Sequence, residues 1–397
     1  MKYSQRALSI SASPTLAIDA LAKKLKESGE NVIGFGAGEP DFDTPENIKY
    51  AAIAAIVKGY TKYTPVAGIA CLKEAVAKYY NDNYGISCSA DEIVISNGAK
   101  HSLMNVFFAL LNEGDEVLLP SPYWVTYPEL IKLAGGKVVV VPTQKESNYK
   151  VSGRDLQKYI TSKTKTLVLN SPSNPTGMVY TYEELKEIVE LCIQNEIFII
   201  SDEIYDKLIY DGQKHISPAS FGNKAKDLTV IVNGVSKSYA MTGWRIGYTL
   251  SNKDLAKIIT NLQSHTTSNP NSIAQYAAYE ALSGPQESLK KMVEEFAKRR
   301  DLIYELVNEI EGLSSVKPQG AFYIWVDLSG VIGKSFNGKV IDSANTFAKL
   351  LLENEKVAVV PSEGFGMENH MRLSYATSVQ NIKEGLARIK RFVEKLK

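Results

Sequence analysis

Three cysteines and four histidines in 397 residues leave little material for thiol or metal chemistry. Cys71, Cys88 and Cys192 are widely spaced and odd in number, which fits reduced thiols and supplies neither a zinc knuckle nor a redox pair. His101, His215, His265 and His370 are equally scattered, so no metal site is expected and a histidine-based triad has little support. Long apolar runs are missing too: nothing approaches the roughly 18 residues a membrane helix needs. The opening Met1-Lys2-Tyr3-Ser4-Gln5-Arg6 carries no signal-peptide core, so a cytoplasmic protein is expected. A net charge of +1 gives no bulk attraction to nucleic acid or an anionic membrane. Without repeats or low-complexity stretches either, function has to reside in a local site.

What is present is an alternation of elements long enough for more than one core. Short apolar runs at 92–95, 116–119, 138–141, 166–169, 197–200, 229–232 and 246–250 are seven strand candidates, separated by helical patterns such as 182–195. Their bare, two-side-buried character predicts an α/β fold in which a mainly parallel seven-stranded sheet is covered by helices. After Pro285 a charged helical pattern, 287–311, leads to a smaller α+β series with strands at 321–326, 357–360 and 371–375 and a last amphipathic helix over 379–397. The expected division is a large domain, 46–286, and a small domain formed by 1–45 and 287–397. An amphipathic helix at 17–26 precedes the run Val32-Ile33-Gly34-Phe35-Gly36. That Gly-x-Gly is not a dinucleotide loop, because Glu39 fills the third glycine slot and Pro40 follows it.

Chemistry concentrates where the candidate strands end. Lys237 follows the run 229–233 among small polar residues, with Tyr239, Trp244 and Arg245 close behind. A second cation and partly apolar surroundings both favour a neutral, nucleophilic amine. Taken alone it reads as a solvated lysine in a turn, as most lysines are. Ser96-Asn97-Gly98-Ala99-Lys100-His101-Ser102 opens an apolar helix with small residues, which suits either a phosphate or an ordinary N-cap. Trp124 in Ser121-Pro122-Tyr123-Trp124 can cover a flat ligand or pack in the core. Asn170-Ser171-Pro172-Ser173-Asn174-Pro175-Thr176-Gly177 is a stiff turn dense in amides that can donate and accept. Asp202 and Tyr205 in Ser201-Asp202-Glu203-Ile204-Tyr205 read as an N-cap or as partners for a protonated ring nitrogen and a ring oxygen.

Together with Gly36-Ala37-Gly38-Glu39-Pro40-Asp41-Phe42, Tyr63, Met241-Thr242-Gly243-Trp244-Arg245-Ile246-Gly247-Tyr248 and Arg372-Leu373-Ser374-Tyr375-Ala376, these segments resemble the aspartate-aminotransferase family of pyridoxal-phosphate enzymes, fold type I, over nearly the whole chain. The resemblance implies pyridoxal 5'-phosphate as cofactor, with Lys237 bonded to its aldehyde and later shuttling the substrate's α-proton. By the same resemblance Asp202 faces the pyridine nitrogen, Tyr205 and Asn174 reach the ring oxygen, and Trp124 stacks on the ring. The phosphate falls to the backbone of Gly98, Ala99 and Lys100, to Ser236 and Arg245, and to Tyr63 from a neighbouring subunit, which implies a homodimer with shared active sites. Arg372 matches the ligand of the substrate α-carboxylate, with Gly38 offering a backbone contact and Trp124 and Asn174 beside the substrate.

The chain departs from the family pattern in two places. Gly234 stands where some relatives carry a phosphate-binding serine, which shifts weight to Ser236. Ser264-His265-Thr266-Thr267-Ser268-Asn269-Pro270 lacks the arginine with which one branch holds a distal carboxylate. A bacterial branch acting on aspartate, and in some members prephenate, uses instead a threonine near the N-terminus and a lysine in the phosphate loop, matched by Thr15 and Lys100. The expectation is therefore transfer of the aspartate amino group to 2-oxoglutarate in a ping-pong cycle through pyridoxamine phosphate. The competing readings are an aromatic or alanine aminotransferase, a β-lyase, or a cofactor-sensing regulator. The last needs a DNA-reading module, for which no helix-turn-helix fits before Ser13.

Overall fold

Seven strands form the central sheet: β1 (Ile93–Ser96), β2 (Glu116–Ser121), β3 (Lys137–Pro142), β4 (Thr164–Asn170), β5 (Phe198–Asp202), β6 (Thr229–Gly234) and β7 (Gly247–Leu250). The computed structural model describes residues 3–11 and 14–397, without the side chains of residues 14–17 and 19. The strand order is β1-β7-β6-β5-β4-β2-β3. Neighbours from β6 through to β3 run parallel, whereas β7 is antiparallel to both β1 and β6. Six strands thus point the same way and place Ser96, Ser121, Asn170, Asp202 and Gly234 along one edge. The reversed β7 begins at that same edge, just after Arg245.

Every residue of β1 and β6 is buried, as expected for strands covered on both faces, while the outer strand β3 is largely exposed or half-buried. Helix Tyr182–Gln194 shows how local sequence fixes the cover: the Thr181 side chain accepts from the Glu184 amide at 3.3 Å, and the Glu184 carboxylate accepts from the Thr181 amide at 2.8 Å. Its Leu185, Ile188, Val189 and Cys192 then face the sheet side of the core.

A second, antiparallel sheet orders Val360–Pro361, His370–Ser374, Tyr323–Asp327 and Ser314–Ser315. Helix Glu287–Asn308 packs on that sheet, and helix Val379–Glu394, with Ile382, Leu386, Ile389, Phe392 and Val393 buried, packs in turn on Glu287–Asn308 and on Ile33–Gly34 and Val357–Ala358. The run expected as one strand at 357–360 divides at Val359. Val357–Ala358 pairs in parallel with Ile33–Gly34, and Val360–Pro361 pairs with Met371 and Arg372. Similarly, Ile246 stays outside β7, because Arg245 takes a left-handed φ of 57° and the ladder starts only at Gly247. Glu92, expected at the start of β1, closes a short 3-10 turn, Ala90–Glu92. Among the described residues no helix is long and apolar enough to cross a membrane.

Candidate active site

The loops leaving β1, β2, β4, β5 and β6 converge with the smaller sheet on one cleft of about 550 Å³. Lys237 lies at its base, half-buried, with its Nζ donating to the Gly38 carbonyl. Packing of protein around the amine pushes its pKa down to about 8; Glu39 and Asp202 pull it up, and Arg245 and Arg372 add to the fall. At pH 7 about one amine in ten is then neutral, against fewer than about one in a thousand for a free lysine.

Asp202 ends β5 and is 3% exposed. One carboxylate oxygen accepts from the Tyr127 hydroxyl at 2.7 Å and the other from the Ile204 amide at 3.2 Å. Burial raises its pKa to about 6, with those two hydrogen bonds and Lys237 opposing and Glu203 adding to the rise. Tyr205 is buried, and its hydroxyl lies 3.1 Å from that of Tyr323. Burial first, then Tyr323, holds its pKa well above the usual value, so it enters the cleft as a neutral phenol.

Arg372 comes from the smaller sheet and is 2% exposed. Its two terminal nitrogens donate to the Asn174 side-chain oxygen at 3.0 Å and the Gly36 carbonyl at 2.9 Å, and its Cζ lies 4.4 Å from the Tyr323 ring centre. Neither hydrogen-bond acceptor is charged, and Nε has no hydrogen-bond partner among the described residues. A buried guanidinium without a counter-charge is costly, and a ligand carboxylate would remove that cost.

At the other end of the cleft, Gly98 takes a φ of +85°, and a Cβ there would meet Arg245 Nη2 at 2.4 Å. The Arg245 guanidinium therefore rests on bare backbone, oriented by the Thr242 carbonyl at 2.8 Å. Helix Ala99–Leu110 starts here, and its first N–H groups have no partner within the helix. Ser236 borders the same space. The missing serine at 234 has a steric reason: a side chain would come within 2.8 Å of the Ile246 carbonyl and 2.9 Å of Gly247 Cα across the β6–β7 pair. Trp124 and Lys100 form the rim, with the Lys100 ammonium 5.0 Å from the indole centre.

Two expected positions stand apart. Tyr63 is 90% exposed and does not line this cleft in its own chain. Thr15 has its side chain outside the described residues. The sequence reading missed Tyr127, which holds Asp202, and Tyr323, which joins Tyr205 and Arg372. Tyr127 carried a weak signal in its helical spacing, three residues after Trp124. Tyr323 carried none, since its approach depends on the smaller sheet. Glu39, also unpredicted, accepts from the Thr242 hydroxyl at 2.6 Å at the cleft mouth.

An amine of lowered proton affinity, a buried acid, a carboxylate-ready arginine and an anion cradle with an exposed guanidinium together fit a phosphorylated pyridine aldehyde. A family model described as aminotransferase class I and II matches residues 30–389. A curated aspartate aminotransferase from Bacillus subtilis is 50% identical over 395 residues, covering 100% of both chains. A probable aspartate/prephenate aminotransferase from Aquifex aeolicus is 49% identical, covering 97% of this chain and 96% of that protein. The crystal structure of the aspartate aminotransferase from Rhizobium meliloti superposes with a TM-score of 0.97 at 41% identity, covering 100% of each chain. The seven-stranded mixed sheet with its helical layers is the fold-type I aminotransferase architecture. The chain belongs to the class I and II aminotransferases and is a pyridoxal 5'-phosphate-dependent transaminase.

Proposed function

We propose that this enzyme moves the amino group of aspartate to 2-oxoglutarate in a ping-pong cycle, with prephenate as a further acceptor. The observation that carries this reading is the buried Arg372, held by two uncharged acceptors and sharing one cleft with Lys237 and Asp202. Lys100 supports a dicarboxylate, because it puts a second cation at the rim of the same cleft. The names of the relatives from Bacillus subtilis and Aquifex aeolicus support aspartate and prephenate respectively.

In this reading Arg372 grips the substrate α-carboxylate as a fork, and Asn174 keeps that fork in plane. Gly38 adds a backbone contact, and Thr15 joins Lys100 at the distal carboxylate. When bound, pyridoxal 5'-phosphate supplies an aldehyde for the amino group and a ring that accepts the electron pair left at the α-carbon. Lys237 would bond to that aldehyde at rest and, once freed, would carry the proton from the substrate α-carbon to the aldehyde carbon of the cofactor. Asp202 faces the ring nitrogen as a carboxylate, and Tyr127 keeps it aimed. Tyr205 donates toward the ring oxygen beside Asn174, and Trp124 covers the ring. Ser236, Arg245 and the backbone of Gly98, Ala99 and Lys100 hold the phosphate.

Tyr63 would complete that phosphate site from a second copy. Helix Glu46–Val57 exposes Tyr50, Ile53, Ile56 and Val57 at 63%, 53%, 54% and 81%, an apolar face suited to a homodimer. Segments 1–45 and 287–397 act as the small domain against 46–286, supported by the pairing of Ile33–Gly34 with Val357–Ala358. Three unpaired cysteines fit a cytoplasmic setting. The test offers the purified enzyme aspartate, alanine, phenylalanine and cystathionine, with 2-oxoglutarate and then prephenate as acceptor. Oxaloacetate formed fastest from aspartate is expected; pyruvate release from cystathionine, or equal rates on phenylalanine, would overturn the reading.

A further inference from the structure

Behind Asp202 lies a second set of buried ionisable groups that the transamination chemistry does not touch. Glu203 follows Asp202 directly, and the chain turns the two carboxylates to opposite sides. Glu203 is held by the Ser201 and Ser217 hydroxyls at 2.9 and 2.6 Å, both on one oxygen. Its other oxygen lies 3.1 Å from His215 Nε2, with the two side chains 0% and 2% exposed. This is an ion-pair approach rather than an aligned hydrogen bond, and His215 Nδ1 has no hydrogen-bond partner among the described residues.

The pair is enclosed from every side. From helix Ala70–Tyr84 come Tyr80, whose hydroxyl reaches the same Glu203 oxygen at 3.5 Å, and Tyr84, edge-on to the His215 ring at 5.3 Å. Asn233 of β6 donates to the Tyr80 hydroxyl at 3.0 Å, and Tyr248 of β7 stands edge-on to Tyr80. Asp206 accepts from Tyr84 at 2.7 Å and from Tyr79, and Lys207 covers the Tyr79 and Tyr84 rings. Burial disfavours the imidazolium, but Glu203 and Asp206 outweigh it against Lys207, so the proton affinity of His215 is raised. Glu203 in turn strengthens the hold of Asp202 on a proton. The groups facing Asp202 itself are Tyr127, Lys237, Tyr205 and Glu203.

We propose that Glu203 and His215 are a positioning pair for Asp202: the imidazolium balances the Glu203 carboxylate and thereby sets the pH above which Asp202 is ionised against the cofactor ring nitrogen. The inference rests on the assignment of Asp202 to that nitrogen. A buried charge on the neighbouring residue, turned to the opposite side of the chain, shifts a carboxyl group by up to about one pH unit. Removing one member of the pair therefore moves Asp202 in a direction set by which charge is lost.

The experiment measures the affinity of the apoenzyme for pyridoxal 5'-phosphate across pH, beside an analogue carrying carbon in place of the ring nitrogen. The difference between the two cancels the contributions of Lys237 and the phosphate and isolates the acid limb due to Asp202. Glu203→Gln should move that limb down by up to about one pH unit, and His215→Gln should move it up. The double variant, which restores neutrality, should bring it back toward the wild-type position. Shifts in the same direction, or a lower affinity with an unmoved limb, would make the pair a structural brace and overturn the proposal. If His215→Gln does not fold, Glu203→Gln and the double variant decide alone, since only a charge effect is reversed by the second change. Identical pH profiles for cofactor and analogue in the wild type would instead remove the Asp202 assignment itself.

Discussion

The floor and the rim of the cleft hold their charges differently. On the floor, Asp202 and Arg372 are almost fully buried and Lys237 half so, each with designated partners. On the rim, Lys100, Arg245 and Glu39 are exposed. Desolvation moves the floor acid and amine into the range where they exchange protons near neutrality, whereas rim charges are screened by water. The floor is suited to moving protons and the rim to choosing ligands.

Substitutions can break that contrast. The largest effect is expected from Lys237→Ala, which should lower turnover by roughly 10⁴-fold while pyridoxal 5'-phosphate still binds and borohydride no longer attaches it covalently. Near-normal turnover would end the assignment. Asp202→Asn should cost about 10²–10³-fold in kcat through lost electrostatic support. The same variant tests linkage. Asp202 has a folded-state pKa raised from 3.8 to about 6, so its contribution to apoenzyme stability is present below the lower value and is lost as pH rises through the higher one. Urea titrations should show that falling contribution in the wild type and not in the asparagine variant.

Arg372→Lys should raise KM for amino-acid and 2-oxo-acid substrates alike, by an amount equivalent to about 2–5 kcal/mol, because a lysine cannot form the fork. At the rim, Lys100→Ser should lower kcat/KM for aspartate only up to about fivefold and leave alanine unchanged. Equal losses for both would place Lys100 away from the distal carboxylate. The contrast sharpens further with pH: covalent incorporation of cofactor into apoenzyme should accelerate about tenfold per pH unit and level off above about 8, where Lys237 is neutral.

Much of this was readable from the chain alone. Apolar runs located all seven strands of the large sheet to within a few residues: burial on both faces leaves six of them without polar alternation, and the half-exposed β3 is marked by its four consecutive valines. Strand ends pointed to Lys237, Asp202, Asn174 and Trp124 because loops at a parallel sheet's carboxyl edge share one crevice. The reversal of β7 was not readable, since its residues look the same in either direction, yet it brings Arg245 to the cleft. Tyr127, Tyr323 and the Glu203–His215 contact also escaped, because each depends on how separate elements approach and leaves no periodic trace. The gap at Gly234 was visible, but its cause, the close passage of Ile246 and Gly247, was not.

The segment Gly36–Gly38 has a part that neither floor nor rim describes. The Gly36 carbonyl satisfies Arg372 and the Gly38 carbonyl satisfies Lys237, while the Phe35 amide next door is tied to the Ala358 carbonyl at 2.8 Å. With the cofactor holding Lys237 and a bound amino acid's carboxylate holding Arg372, both carbonyls would be without their cations at once. Three residues then lose two anchors together, and the tether to Ala358 carries that loss into the N-terminal crossing of the chain. Deuterium uptake at the Phe35 amide is thus a gauge of occupancy in a part of the molecule that takes no share in the reaction.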